Sequence, residues 1–184
     1  MQQLTTPLAF ALAYADHGFS VIPIHHIEAD HLCSCGKTVC PSPGKHPRLA
    51  SWTRYQHDRA TETQIRQWWT QWPLANVGIA TGRVSGIVVL DIDPAHGGDA
   101  SQLDIDTQTV TCLTGGGGEH YYYAHPGGTV GNRAGIIAGV DLRGDGGYVV
   151  TPPSNHSLGS YRWEVGWSPF EATFRPLPLD YQST

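Results

Sequence analysis

The chain has 184 residues, of which 40% are hydrophobic and 15% charged, and its formal net charge is −5. That length suits a single domain over 1–184 with a sizeable core, and the negative balance excludes a strong nucleic-acid binder that works through its whole surface. No apolar run is long enough to span a membrane, since Asp16 and His17 interrupt the first one; with no signal peptide or internal repeat in view, the cytoplasm is the expected setting.

Thr6 and Pro7 read as a cap and first-turn pair, with Leu8, Ala11, Leu12 and Ala15 at helical spacing up to Gly18. Phe19 to Ile24 reads as a strand. Then Cys33, Cys35, Cys40 and His46 fall within fourteen residues, amid Gly and Pro. Thiolates and imidazole suit tetrahedral zinc, and four protein ligands leave no open position, so a structural ion is expected. His31, His26 and His25 compete for the fourth place. Three cysteines cannot pair internally, and Cys112 lies in a β-like run that reads as core. Zinc would fold a loop (31–48) too polar to fold unaided.

From Lys37 to Arg66 six basic residues (Lys37, Lys45, Arg48, Arg54, Arg59, Arg66) face Asp58 and Glu62, a local +4. Lys45, Arg48 and Arg54 are candidate contacts to nucleic-acid phosphates; an ordinary solvated surface would account for the same charges. A second helix is expected from near Thr61, carrying Ile65, Trp68, Trp69 and Trp72 toward the core until Pro73 ends it. Asn76 to Ala80 reads as a strand and Thr81 to Gly86 as a turn.

The most apolar run, from Gly86, ends in Asp91-Ile-Asp93. Residues i and i+2 of a strand point to one face, so two carboxylates stand side by side and repel unless a cation neutralises them. Hard Mg²⁺ or Mn²⁺ takes oxygen ligands of this kind, usually shared with phosphates. A strand ending in an Asp-Pro turn is the plainer alternative.

After a strand at Val110 to Leu113, Thr114 opens a glycine loop, Gly115 to Gly118, that runs through Glu119 and His120 into Tyr121 to Tyr123. Gly116, Gly117 and Gly118 would let the backbone approach an anion such as a triphosphate, with His120 placed to donate to a phosphate oxygen. No helix follows, and no Gly-Lys-Ser/Thr closes the loop, so neither a dinucleotide fingerprint nor an NTPase loop is present. Glu119 to Ala124 is a strand, and a long hairpin turn is the alternative reading of the loop. Val140 to Arg143 and Tyr148 to Val150 read as strand-like runs joined in a hairpin by Gly144 to Gly147, with Asp145 a turn residue. Asp141 and Arg143 share one face of the first run; a third carboxylate there would complete a metal site, and the guanidinium would suit a phosphate. Tyr161 to Val165 is a last strand, and 168–184 reads as a peripheral tail or the start of a linker. Strands outnumber helices, so the fold class is α+β: a curved, mostly antiparallel or mixed sheet flanked by helices, with a small zinc-binding loop.

Asp-x-Asp at a strand end, a glycine-rich turn into His with aromatics after it, then Val140-Asp-Leu-Arg-Gly-Asp-Gly-Gly-Tyr-Val-Val followed by Pro152-Pro-Ser resembles the bifunctional DNA primase/polymerase (prim-pol) domain of the archaeo-eukaryotic primase superfamily, from about Ala11 to Trp163. The resemblance implies template-directed nucleotidyl transfer in replication proteins of mobile genetic elements. Asp91, Asp93 and Asp141 would hold two Mg²⁺ or Mn²⁺ ions, and His120 would contact the incoming nucleotide. Gly116 to Gly118, Arg143 and His156 are further nucleotide-binding candidates, the Pro152 to His156 loop bordering the site. Implied partners are single-stranded or primed DNA, nucleoside triphosphates, a C-terminal helical priming module and a helicase. Two other functions fit the same residues: a nucleotide- or nucleic-acid-binding module without synthesis, and a metal-dependent nuclease or phosphatase.

Overall fold

The computed structural model describes residues 4–182. In chain order these form α1 (Pro7–Asp16), β1 (Ser20–Ile24), α2 (Glu62–Gln71), β2 (Asn76–Ala80), β3 (Ile87–Ile92), β4 (Val110–Leu113), β5 (Glu119–Ala124), β6 (Arg133–Ile137), β7 (Val140–Arg143) and β8 (Tyr148–Thr151). Four two-residue strands follow: β9 (Asn155–His156), β10 (Gly159–Ser160), β11 (Arg162–Trp163) and β12 (Arg175–Pro176). The architecture is mixed α and β, with few helices and mostly antiparallel sheets, and no helix among the described residues is long and apolar enough to cross a membrane.

Both helices begin where their caps require. Thr6 Oγ1 accepts from Ala9 N with Pro7 in the first turn. Thr61 and Gln64 form a reciprocal capping box that satisfies two otherwise orphaned amides. Along α2, Ile65 and Trp69 are buried, and Trp68 and Trp72 pack at the core edge. Trp69 is held in place by an indole N–H that donates to Ala75 O at 3.1 Å.

A small antiparallel sheet runs β1-β2-β8, and a larger one runs β11-β4-β5-β3-β7-β6, with β12 adding in parallel to the end of β5. The larger sheet is apolar on both faces. Ile87, Val89, Val110 and Tyr122 pack with the helices and the small sheet, whereas Val88, Leu90, Ile92, Tyr121, Tyr123, Val140 and Leu142 form a second core behind it.

Several sequence expectations are corrected. Tyr148 to Val150 does not fold back on Val140 to Arg143: β7 pairs with β3 and β6, while β8 pairs with β2 in the other sheet. Gly144 to Gly147 therefore carries the chain from one sheet to the other. Asp145 is more than a turn former, since it accepts from Arg83 N at 2.8 Å and Val130 N at 3.0 Å, tying together loops distant in sequence. The C-terminal segment, expected as a peripheral tail or the start of a linker, makes contacts with the fold as far as residue 182. β12 joins the sheet, Leu177 is buried in the second core, and Arg133 donates to Tyr181 O; residues 183–184 of the expected tail lie outside the described residues. The strand expected at Tyr161 to Val165 shortens to β11, and β6, whose residues carry no alternating pattern, had no sequence signal.

Candidate active site

Alternation along β3 places Val88, Leu90 and Ile92 in the second core, which leaves Ile87, Val89 and Asp91 on the opposite face. Strand register extends that parity sideways. Asp91 lies opposite His120 on β5 and Asp141 on β7, and Val89 lies opposite Tyr122 and Arg143. The row His120–Asp91–Asp141 thus crosses three strands, and it borders a cavity of about 590 Å³. Asp91, Asp93, His120, Asp141, Arg143, Gly116 and Gly118 all line it.

Within this row, Asp91 Oδ1 is 3.3 Å from His120 Nε2, and its Oδ2 is 3.4 Å from Arg143 Nη2. The same guanidinium nitrogen donates to Asp141 Oδ2, while Asp141 Oδ1 accepts from Gly135 N at 2.6 Å. Burial pushes the Asp91 carboxyl up, but the charges and hydrogen bonds of His120 and Arg143 outweigh it and hold the group at about 2. Asp93 is placed differently: its carboxylate caps the Pro94–His96 turn, accepting from Ala95 N at 3.0 Å and lying 2.8 Å from His96 Nδ1. The oxygen donors suit a hard cation chemically, yet as they stand two share Arg143 and the third is bonded to its own turn.

His120 is buried at 5% exposure, facing Asp91 from the cavity floor, and its Nδ1 has no hydrogen-bond partner among the described residues. The glycine segment is the tight connection of β4 to β5. Thr114 N donates to Gly118 O, Gly117 N to Thr114 O, and Gly118 N to Thr114 Oγ1. The Gly117 and Gly118 amides are therefore spent on the turn. Gly117 has φ +88°, and a Cβ on Gly118 would come within 2.2 Å of Ile92 O, so both positions demand glycine. His156 backs this turn, its Cβ lying where a side chain on Gly115 would begin. Burial and the nearby Lys45 charge lower its pKa.

Ser42, Lys45, Trp52, Asn132, Tyr148 and Tyr161 also line the cavity, Tyr161 with its ring centroid 6.1 Å from that of His120. Of these Lys45 was a sequence candidate and Tyr148 stood within the Val140 to Val150 motif, whereas Ser42, Trp52 and Asn132 are single residues without a motif. Arg48 and Arg54 do not line the cavity. Arg48 turns to Ser34 Oγ (2.9 Å) and His26 Nδ1 (3.3 Å) and lies over the Trp72 ring, while Arg54 is exposed beside Asp58.

A second cluster stands in the loop after β1. One ligand atom from each of Cys33, Cys35, Cys40 and His46 lies within 4.8 Å of the others. His46 Nε2 is 3.6 Å from Cys33 Sγ and 3.4 Å from Cys40 Sγ, close to the roughly 3.6 Å edge of a tetrahedron with zinc–sulfur and zinc–nitrogen bonds of ordinary length. All four cysteines of the chain are free thiols. Gly44 N donates to Cys33 Sγ at 3.5 Å, burial pushes the Cys33 thiol up, and the Lys37 amide lowers that of Cys35. Burial also lowers the His46 pKa, which favours the neutral ligating imidazole. This group could hold a structural zinc. His25 and His26, by contrast, are engaged with Ser34 and Arg48.

Over residues 11–178 the chain matches the Prim-Pol family, described as bifunctional DNA primase/polymerase, N-terminal. It belongs to that family. A search of curated proteins finds no match.

Proposed function

We propose that the cavity carries out template-directed nucleotidyl transfer, as a DNA primase, a DNA polymerase or both, within a primase-like fold. Family membership suggests the activity, and the observation that carries it to named atoms is the register-locked row His120–Asp91–Asp141, with Arg143 beside it, at the edge of an open cavity. Asp91, Asp93 and Asp141 would hold Mg²⁺ or Mn²⁺, which when bound supplies charge neutralisation and activation of the attacking hydroxyl. His120 orients Asp91, Gly116 borders the phosphate region, and the Arg143 guanidinium suits phosphate oxygens. Aligning a primer hydroxyl with an α-phosphate requires positioning more than a side-chain nucleophile, so no covalent intermediate is invoked. A helical priming module and a helicase would act beyond this domain, in replication of a mobile element.

The test supplies primed template, Mn²⁺ and labelled nucleotides. Extension that disappears in Asp141→Asn supports the proposal; nucleotide binding without extension points to the second reading, and degradation of the substrate to a nuclease or phosphatase. The second reading, a nucleotide-binding module without synthesis, is favoured by one observation: Arg143 already neutralises Asp91 and Asp141, and Asp93 is bonded to its own turn.

A further inference from the structure

Lys45 sits one residue before the candidate ligand His46, and the backbone around it is tied to three other elements. Gly44 O accepts from Asn76 Nδ2 at 3.0 Å, Lys45 O accepts from the Tyr148 hydroxyl at 2.9 Å, and His46 O accepts from His25 N at 2.9 Å. Arg48 N donates to Pro23 O, and Pro47 bridges Ile24, so the exit of the loop runs along β1. The main chain at position 45 is thereby pinned, while the side chain is left to the cavity, which it lines together with Ser42.

Two fully basic side chains line that cavity, Arg143 and Lys45. Arg143 is committed to Asp91 and Asp141, whereas Lys45 makes no ion pair among the described residues. A ligand bearing several negative charges and seated beside three carboxylates requires an uncommitted cation facing it, because like charges at contact distance cost several kcal/mol in a partly desolvated site.

Resting on the nucleotidyl-transfer reading of the cavity, we infer that Lys45, carried by the Cys₃His loop, holds the phosphates of the incoming nucleoside triphosphate, so that the loop sets nucleotide affinity rather than template affinity. Lys45 is the contact; Tyr148 and the loop are its positioning elements. A basic residue that bound template backbone would instead act on single-stranded DNA, and a merely solvated lysine would act on neither.

The experiment titrates the full chain with a nucleoside triphosphate, the matching monophosphate and a single-stranded oligonucleotide, following binding by calorimetry. Losing a charge-assisted contact, Lys45→Gln should weaken triphosphate binding about tenfold and change monophosphate and oligonucleotide binding by less than about twofold, with Lys45→Arg restoring most of the loss. Cys40→Ser should weaken the triphosphate in the parent chain but add little in the Lys45→Gln background. Should Cys40→Ser fail to fold, Tyr148→Phe removes the hydroxyl on Lys45 O without touching the loop, and a selective triphosphate loss is again expected. An unchanged triphosphate affinity in Lys45→Gln, or an equal loss on the oligonucleotide, overturns the inference. Primer extension separates the two ideas. A parent chain that extends primers yet is indifferent to Lys45 keeps the proposed function and loses this contact; one that binds triphosphate through Lys45 without extending keeps the contact and favours the binding module; one that binds no triphosphate loses both.

Discussion

At the scale of single residues, Asp91 shows how neighbours reverse a sequence expectation. Two carboxylates read on one strand face should repel, so removing one would stabilise the chain. In the structure Arg143 supplies the opposite charge, His120 Nε2 lies 3.3 Å from the carboxylate, and the Asp93 carboxylate is engaged in a turn. Asp91→Ala is therefore expected to lower stability, by about 1–2 kcal/mol for a pair whose side chains are largely buried, as well as to end nucleotide incorporation; denaturant melts of parent and variant give the sign. The pH dependence follows from the same contacts. Asp91 is depressed to about 2 from an ordinary 3.8, so its stabilisation is complete above the unfolded-state value and is lost as pH falls from about 4 toward 2. Asp91→Asn should flatten the acid limb of the stability curve in that window, measured as the parent–variant difference in unfolding free energy at pH 2, 3 and 5.

Among the elements, the Gly144–Gly147 crossing between the sheets has the most to lose from one substitution. Asp145 bonds the Arg83 and Val130 amides, with His125 Nε2 3.5 Å from its carboxylate. Deleting the carboxylate in Asp145→Ala leaves Val130 N–H without its acceptor, at a cost of about 1.5–3 kcal/mol, with little effect on zinc content. Asp145→Asn, which keeps one acceptor oxygen, should lose less. The glycine turn makes a second expectation: Gly118→Ala, whose added carbon would meet Ile92 O at 2.2 Å, should disturb the β4–β5 register and with it His120, seen as loss of amide protection on β5.

For the whole molecule, the two cation sites are expected to separate by chemistry. Thiolates and imidazole select zinc, and carboxylates select Mg²⁺ or Mn²⁺. One tightly held zinc per chain is expected, lost on Cys33→Ser, as measured by elemental analysis of protein purified without added metal. The sheets have their own cores, built from residues outside the loop, so hydrogen exchange after chelation should rise across Cys33 to Pro47 while β3, β5 and β7 stay protected. Loss of protection across all three strands would show instead that the loop holds the whole fold together.

Local chemistry in the sequence was enough for what depends on neighbours in the chain. The cap at Thr6, the helix start near Thr61 with its tryptophans, the strand that carries Asp91, the strand beginning at Glu119, and the Cys₃His spacing all follow from periodicity, capping and ligand preference. So did the shared strand face of Asp141 and Arg143, because the side-chain period of a strand is a property of the strand alone, whereas Asp93 falls past the end of β3 and caps its own turn. Pairing is another matter, since it is chosen by cores that join segments far apart. Only the tertiary structure decided that β7 and β8 part into different sheets, that His120 is buried behind Asp91, that Arg143 stands between two carboxylates, and that Arg48 leaves the cavity while Lys45 enters it. Asp-Gly-Gly reads as a hairpin by local preference, but burying Leu142 behind one sheet and Val149 against the other outweighs that preference.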